Sequence, residues 1–478
     1  MLEIISTESP KFDFSTIFSK QQKTSLRWRS STLEERSARL IKLRNWIKEN
    51  QDQIRQALWE DFKKPASEVD LSEIFPVTSE INHTLKNLKS WMKPQGISTP
   101  LSMIGTSGKI YFEPKGTALI ISPWNFPFNL TVGPLVSAIA AGCPAMIKPS
   151  EFSPSTSTLI EKMVKAVFPP EEVSVFLGEV EVSQELLKLP FDHIFFTGSP
   201  AVGKIVMKAA AEHLTSITLE LGGKSPAIID ESADLNDAAG KLIWGKFVNC
   251  GQTCIAPDYI LVHESQKDRL IMELKGFLQK FYDSGFKGIE KSPDYARIIG
   301  PRHFNRLSGY LEDAVSKGAT LEFGGKTEKS TCYFEPTLLS NIAKEMDVFQ
   351  EEIFGPILPI LTFSKIDDVI ALINSKPKPL ALYYFGSDTR NSKKVIEETS
   401  SGNVVINDCI IHFLHNNLPF GGVNNSGMGK AHGHAGFLAF SHEKGVLKQR
   451  VGINNVTLLR PPYGIKAKKI IQSLIKWF

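Results

Sequence analysis

GTALIISP (116–123) and CPAMIKPS (143–150) decide how this chain is read. Each is a short unbroken apolar run that ends in proline and polar residues. Buried parallel strands have this form, because helices cover both of their faces. SVFLG, DHIFFTGS and SPAIIDES repeat the pattern, with helical stretches between them at 133–141, 155–167, 182–189 and 201–211. Strands alternating with helices specify a doubly wound, largely parallel sheet. A second α/β series follows residue 234: a helix through Phe247, the strand YILVHES, helices at 266–282 and 302–317, then strands ATLEFGG, YFEPTLLS, ILPILTF and GNVVIND. Two α/β domains in tandem are the economical reading. Upstream, Leu33, Leu40, Leu43, Ile47, Ile54 and Leu58 recur at helical spacing and predict amphipathic helices over 32–62, closed by Pro65. Another helix is expected over 68–91, and the polar, Gly- and Ser-bearing stretch 95–109 reads as a loop or exposed hairpin.

The bulk properties narrow the function. The chain has 478 residues, two or three domains' worth, with 42% hydrophobic and 22% charged residues. A net charge of +4 on that length gives no reason to expect a nucleic-acid partner. The five cysteines (Cys143, Cys250, Cys254, Cys332, Cys409) are too few and too scattered for a disulfide framework and suit a reducing compartment. MLEIISTESPKFDF lacks the basic start and apolar run of a secretory signal. No stretch reaches the roughly 18 apolar residues of a membrane span. A soluble, cytoplasmic enzyme is the expectation.

Six constellations carry chemistry, each with a plainer reading beside it. In FFTGSPAVGK (195–204), Gly198 permits a tight turn, Ser199 can cap the next helix, and Pro200 sits at its first turn. Amides exposed there suit a phosphate, although GxxxxG spacing also fits an ordinary strand-turn-helix junction. PWNFP (123–127) places Asn125 at the carboxyl end of a strand, where ligands collect in such sheets. A neutral amide can hold a developing oxyanion, or simply bond turn backbone. Lys148 and Glu151 of MIKPSE can hold ribose hydroxyls or pair on the surface. In TLELGGKSP (218–226), Glu220 stands among apolar residues, where a carboxyl gains basicity and can act as general base; the plainer reading pairs it with Lys224. FVNCGQTCIAPDY (247–259) presents Cys254 on a turn between helix and strand, a plausible nucleophile and thioester former. Cys143, Cys332 and Cys409 read as packing residues, and Cys250-x-x-x-Cys254 lacks a second ligand pair for zinc. QEEIFGPILP (350–359) groups Glu351, Glu352 and Phe354, suited to ribose hydroxyls and a flat heterocycle or to a capped loop.

Taken in order, PWNFP, KPSE, FTGSPAVGK, LELGGKSP, GQTCIAP, EEIFGP and LPFGGVNNSGMG (418–429) resemble the NAD(P)-dependent aldehyde dehydrogenase superfamily across nearly the whole chain. The GQTCIAPDY wording and extended tail look most like its class 3, fatty-aldehyde branch. The resemblance implies oxidation of an aldehyde to an acid. Cys254 would be the nucleophile, Asn125 and the Cys254 amide the oxyanion hole, and Glu220 the activator of the hydrolytic water. It assigns Lys148 and Glu151 to the adenosine ribose, Gly198, Ser199 and Gly203 to the pyrophosphate turn, and Glu352 with Phe354 to the nicotinamide side. Ile121, Ser122, Trp124, Phe196, Thr197 and Leu221 complete the implied cofactor contacts. Glu151 should repel a 2′-phosphate and so implies NAD, while class 3 relatives often accept NADP as well. The implied fold is an NAD(P)-binding domain (1–94 and 110–222), a catalytic domain (223–430) and a bridging element (95–109 and 431–463) that builds a homodimer. Pro200 departs from the Thr of many relatives. Glu220 argues for water rather than coenzyme A as acyl acceptor, and the intact set Asn125, Glu220 and Cys254 argues against a non-catalytic dinucleotide-binding, membrane-associated protein.

His412, His415, His432, His434 and His442 cluster in Gly-rich sequence and read as a solvated loop rather than a metal site, with His412 and His415 at the substrate entrance. Over 464–478, Ala467, Ile470, Ile471, Leu474, Ile475 and Phe478 form a stripe flanked by Lys466, Lys468, Lys469 and Lys476. That is a basic amphipathic helix, suited either to a lipid surface or to packing on the protein's own body beside the substrate mouth.

Overall fold

The parallel strands assemble into two sheets in the computed structural model, which describes residues 13–285, 287–452 and 454–477. The first sheet runs in the order Gly427–Met428, Ser216–Leu221, His193–Gly198, Ala118–Ile121, Ala145–Lys148 and Val173–Val175, parallel except at its first pair. Every residue of Ala118–Ile121 and Ala145–Lys148 is buried, which explains their unbroken apolar character. From Ala118–Ile121 the chain steps outward through Ala145–Lys148 to Val173–Val175, then crosses back to His193–Gly198. Strand order therefore reverses between Ala118–Ile121 and His193–Gly198, and the loops leaving their carboxyl ends diverge to open a crevice. PWNFP and FTGSPAVGK form its two sides.

The second sheet runs Thr320–Phe323, Thr337–Ser340, Ile357–Phe363, Tyr259–His263, Pro226–Ile229, Ala381–Phe385 and Asn403–Ile406, antiparallel only at its first pair. The chain leaves the first sheet at Leu221 and enters the second at Pro226, with Gly222 and Gly223 between. The strand Ala381–Phe385, buried throughout, goes unnoticed in the sequence because Pro377 and Pro379 punctuate its approach like a loop.

The N-terminal helices cover the first sheet. Leu33–Glu49 opens with a Thr32–Glu35 capping box and buries Leu40, Leu43 and Ile47; Gln51–Phe62 buries Ile54 and Leu58. Burying each such side chain stabilises the fold by about 1.5–3 kcal/mol. The helix expected over 68–91 is interrupted by a π-helical turn at Asp70–Ile74. Pro76 is the reason: it has no N–H for the Ser72 carbonyl one turn back, and the Asn129 side chain donates to that carbonyl instead, at 2.9 Å.

The stretch 95–109 is part of a hairpin, as expected. Gln95–Ile97 and Thr106–Pro114 pair antiparallel, and Ser441–Gln449, a strand not singled out from the sequence, completes a three-stranded sheet. Its outer residues are exposed. The tail forms the helix Ile465–Trp477, whose main packing partner is the turn Asn455–Leu459, itself resting on Leu101–Met103 of the hairpin. Ala467 is buried, whereas Ile465 and Ile475 stand 76% and 77% exposed. The stripe is thus only half turned inward. Phe478, like residues 1–12 of the N-terminal stretch, lies outside the described residues. No described helix is long and apolar enough to cross a membrane.

Candidate active site

Three consecutive left-handed residues shape the approach to Cys254. Asn249, Cys250 and Gly251 have φ of 55°, 55° and 74°, following directly on the helix Leu235–Phe247 and a short turn. Such strain persists only where neighbours impose it. Here the Asn249 amide donates to Glu68 Oε2 at 3.0 Å, while its side chain donates to the carbonyls of Asn125 (2.8 Å) and Gln252 (3.1 Å). Asn125 Nδ2 donates to the same Gln252 carbonyl at 3.0 Å, so nucleophile turn and PWNFP loop are tied together. The bland reading of Asn125, as a turn-bonding amide, is therefore half right: one of its two protons is used on backbone.

Gly251 has no freedom to change. A Cβ there would lie 2.3 Å from the Gly355 carbonyl oxygen, and φ is positive. Gly251→Ala is expected to lower stability by about 2–5 kcal/mol, summing left-handed strain of about 1–2 and overpacking of about 1–3. Thermal denaturation against wild type measures it.

A cleft of about 320 Å³ is lined by Asn125, Glu220 and Cys254 together, with Trp124, Glu352 and Phe354. Glu220 is the penultimate residue of the strand Ser216–Leu221, whose last four residues are buried, and neither of its carboxylate oxygens has a hydrogen-bond partner among the described residues. Burial drives its pKa well above the ordinary carboxyl value, against a partial pull from Lys430. Lys224 is not its partner; that ammonium bonds Asp258 at 2.5 Å and the Val348 carbonyl at 2.7 Å. Cys254 is partly accessible, and its thiol is pushed up to about 12 by burial and by the nearby Glu352 and Glu220 carboxyls. Glu352 accepts the Gly223 N–H at 2.9 Å and is itself raised to about 7, chiefly by burial. This approach requires glycine at 222, where a Cβ would stand 2.4 Å from Glu352 Oε1.

The remaining residues expected to meet the cofactor lie in and around this cleft. Ser199 caps the helix Pro200–Ala211, accepting from the Val202 amide, with Pro200 in its first turn. Gly203 lets that helix close on Leu221, 2.9 Å from where its Cβ would be, and a Cβ at Gly198 would meet the Phe196 ring at 2.5 Å. Lys148 leaves its strand buried and bonds Glu151 at 2.5 Å. Ile121, Ser122 and Thr197 end the neighbouring strands at the crevice. The Trp124 ring stands between Phe354 (5.4 Å, edge-on) and His303 (4.6 Å). His303 and Arg306, both on the helix Pro301–Ser316, were not legible from sequence. Arg306 donates to the carbonyls of Ile353 (2.8 Å) and Phe354 (3.4 Å), fixing the EEIFGP turn.

A second passage reaches Cys254 from the other side, lined by Leu71, Leu130, Trp244, Ile255, Ile411 and Phe413 among others and almost wholly apolar. The solvated-loop reading holds for His415, His434 and His442, which are exposed, and needs correction at His412 and His432. His412 is 6% exposed, stacked on Phe420, with both ring nitrogens unpartnered among the described residues; the flanking Ile410, Ile411, Phe413 and Leu414, not His412 or His415, line the passage. His432 packs on Phe413 at 4.6 Å. A loop alternating histidine with phenylalanine and leucine buries its rings when a hydrophobic cleft is at hand.

A partly accessible thiol, a buried carboxyl with no partner among the described residues and a side-chain amide line one cleft, an arrangement suited to chemistry through a covalent intermediate. The chain belongs to the aldehyde dehydrogenase family, whose description matches residues 7–446. It is 45% identical to the putative aldehyde dehydrogenase AldX of Bacillus subtilis, over 92% of this chain and 98% of that one. It is 43% identical to aldehyde dehydrogenase family 3 member A2 of Pongo abelii, over 92% and 89%. Its fold superposes on the substrate-bound state of Staphylococcus aureus AldH with a TM-score of 0.92, at 42% identity, covering 96% of this chain and 99% of the other. It is an NAD(P)-dependent enzyme that oxidises aldehydes to carboxylic acids.

Proposed function

We propose that Cys254, Asn125 and Glu220 carry out this oxidation on hydrophobic, medium- to long-chain aldehydes, with NAD preferred. The observation that carries the reading is the cleft shared by those three side chains, into which an apolar passage opens at Cys254. The Cys254 thiol passes its proton to Glu220 and attacks the aldehyde carbonyl. The second Nδ2 proton of Asn125 and the Cys254 N–H receive the oxyanion. Lys148, Glu151, the Gly198–Gly203 turn, Glu352 and Phe354 would hold NAD(P), which when bound would supply the hydride acceptor. Loss of hydride leaves a thioester on Cys254, and Glu220, again ionised, takes a proton from the water that hydrolyses it.

Substrate class follows from the passage. With side chains such as Leu130, Trp244 and Phe413 around it, each methylene that leaves water gains about 0.8 kcal/mol, close to a fourfold rise in kcat/KM per carbon until the channel is filled. A kcat/KM series over straight-chain aldehydes, run with NAD and with NADP, tests this. A flat series overturns the hydrophobic assignment, and equal rates with both cofactors overturn the NAD preference. The latter rests on Glu151, whose carboxylate would face a 2′-phosphate.

The hairpin sheet with Ser441–Gln449 exposes Ile97, Val446 and Leu447 and supports a homodimer formed through this element. Ile465 and Ile475, exposed beside Lys466, Lys468 and Lys469, support peripheral lipid contact by the tail of an otherwise cytoplasmic enzyme. Deleting 464–478 is expected to reduce binding to anionic vesicles and activity on the longest aldehydes. Unchanged vesicle binding and an unchanged chain-length profile would remove the tail from the reading.

A further inference from the structure

Glu80 is a buried carboxyl that the chemistry above leaves unused. It projects from the helix Phe75–Trp91, 4% exposed; Oε1 accepts the Gly433 N–H at 2.7 Å, while Oε2 has no partner among the described residues. Glu80 lines a third cavity that reaches Cys254, together with Glu220, Asn129, Ser137 and His432. This chamber has about 50 Å³ open to water-sized guests. At about 10–15 Å³ each, that is room for roughly three to five waters, and although the walls are largely apolar, the Glu220 and Glu80 carboxyls supply polar partners for them. Glu220 presents two unpartnered oxygens and Glu80 one.

Resting on the aldehyde-oxidising reading, we propose that Glu80 receives, through water in this chamber, the proton that Glu220 takes from Cys254. Glu220 has two successive duties in one turnover, and the second requires it to be ionised. The O–H bond on Glu220 breaks, a proton moves along the waters, and an O–H bond forms on Glu80 Oε2; nothing is oxidised or reduced. Burial raises both carboxyls, Glu80 to about 7 and Glu220 well above the ordinary carboxyl value, so each tolerates the neutral form. At neutral pH part of the Glu80 population is ionised and able to accept a proton. The groups facing this path are Lys430 beside Glu220, His432 and the Gly433 amide on the loop opposite, and His83 one turn along Glu80's own helix. His83 is half-buried, with its Nε2 3.4 Å from where a Gly433 Cβ would stand, and so borders the Glu80–Gly433 contact.

Glu80→Gln keeps the acceptor for Gly433 and removes the proton acceptor. Enzyme is mixed with NAD and hexanal, and the acyl group on Cys254 is followed by rapid-quench intact mass. The variant is expected to form the acyl-enzyme but lose it at least about tenfold more slowly at neutral pH. It should recover towards wild type as pH rises and hydroxide deprotonates Glu220 directly, a recovery that a merely structural defect would not show. Decay equal to wild type at neutral pH, or a slow decay indifferent to pH, overturns the relay. Should Glu80→Gln fail to fold, Gly133→Val crowds the chamber instead. A Cβ there has only Asn129 Oδ1 within 4 Å, at 3.8 Å, and the same slow, pH-rescued decay is expected; unchanged decay overturns the relay. If wild type itself yields neither NADH nor acyl-enzyme with any aldehyde of the chain-length series, the aldehyde-oxidising reading has failed rather than the relay.

Discussion

Replacing Cys254 with alanine is expected to abolish NADH formation from every aldehyde, a fall of about 10⁴-fold or more, the size seen when a covalent nucleophile is removed. Without sulfur no thioester can form, and no neighbouring group substitutes for it. Thiol acidity does not single out this residue: Cys143, Cys250 and Cys254 are all raised, to about 11, 12 and 12, by burial. Position does. Cys250 is fully enclosed and bonds the Tyr295 hydroxyl at 3.2 Å, and Cys143 bonds the Phe440 carbonyl, whereas Cys254 borders the cleft, the apolar passage and the chamber alike. Ala at 143 or 332 should therefore leave NADH absorbance rates within about twofold of wild type. Persistent activity in Cys254→Ala would disprove the assigned nucleophile. The raised thiol also fixes a sign. Rising pH increases the thiolate fraction and ionises Glu220, so kcat/KM should climb from mildly acid to alkaline pH.

The parts of this molecule legible in one sequence are those that local chemistry imposes. Fully buried strands must be apolar on both faces, so GTALIISP and CPAMIKPS declare themselves. Ser199 and Pro200 mark a helix start through capping and a missing donor, and Glu220 stands out as a charge amid apolar neighbours. What stayed hidden depends on long-range packing. Glu68, whose carboxylate fixes the Asn249 amide 181 residues away, looks like any helical glutamate. Glu80 and His303 give no local signal either, since their significance comes from cavities formed by distant segments. The histidine-bearing loop misleads for a related reason: its glycines suggest exposure, but Tyr383 and Phe420 enclose His412. The expectation of a continuous helix over 68–91 takes no account of Pro76, whose missing donor is made good by Asn129, 57 residues from Ser72.

Glu220→Gln separates the two halves of the reaction. The amide fills the same space but cannot take a proton from water, so thioester hydrolysis is expected to fall by about 10²–10⁴-fold, the range for a lost general base. Acylation also slows, because Glu220 takes the thiol proton, but less severely: the passage and cleft let solvent bases reach Cys254. The acyl-enzyme should therefore accumulate, giving one NADH per active site at alkaline pH followed by near arrest, with the adduct visible by mass on Cys254. The isosteric change should not cost stability, since neither carboxylate oxygen bonds a described residue, an amide can still bond chamber water, and removing a buried ionisable group relieves desolvation. A Tm at or above that of wild type, with turnover arrested after the burst, is the joint signature. Adding coenzyme A supplies a further discrimination. If wild-type enzyme given coenzyme A released an acyl thioester in place of the carboxylic acid, its acceptor would not be water, and the buried carboxyl of Glu220 would need another role.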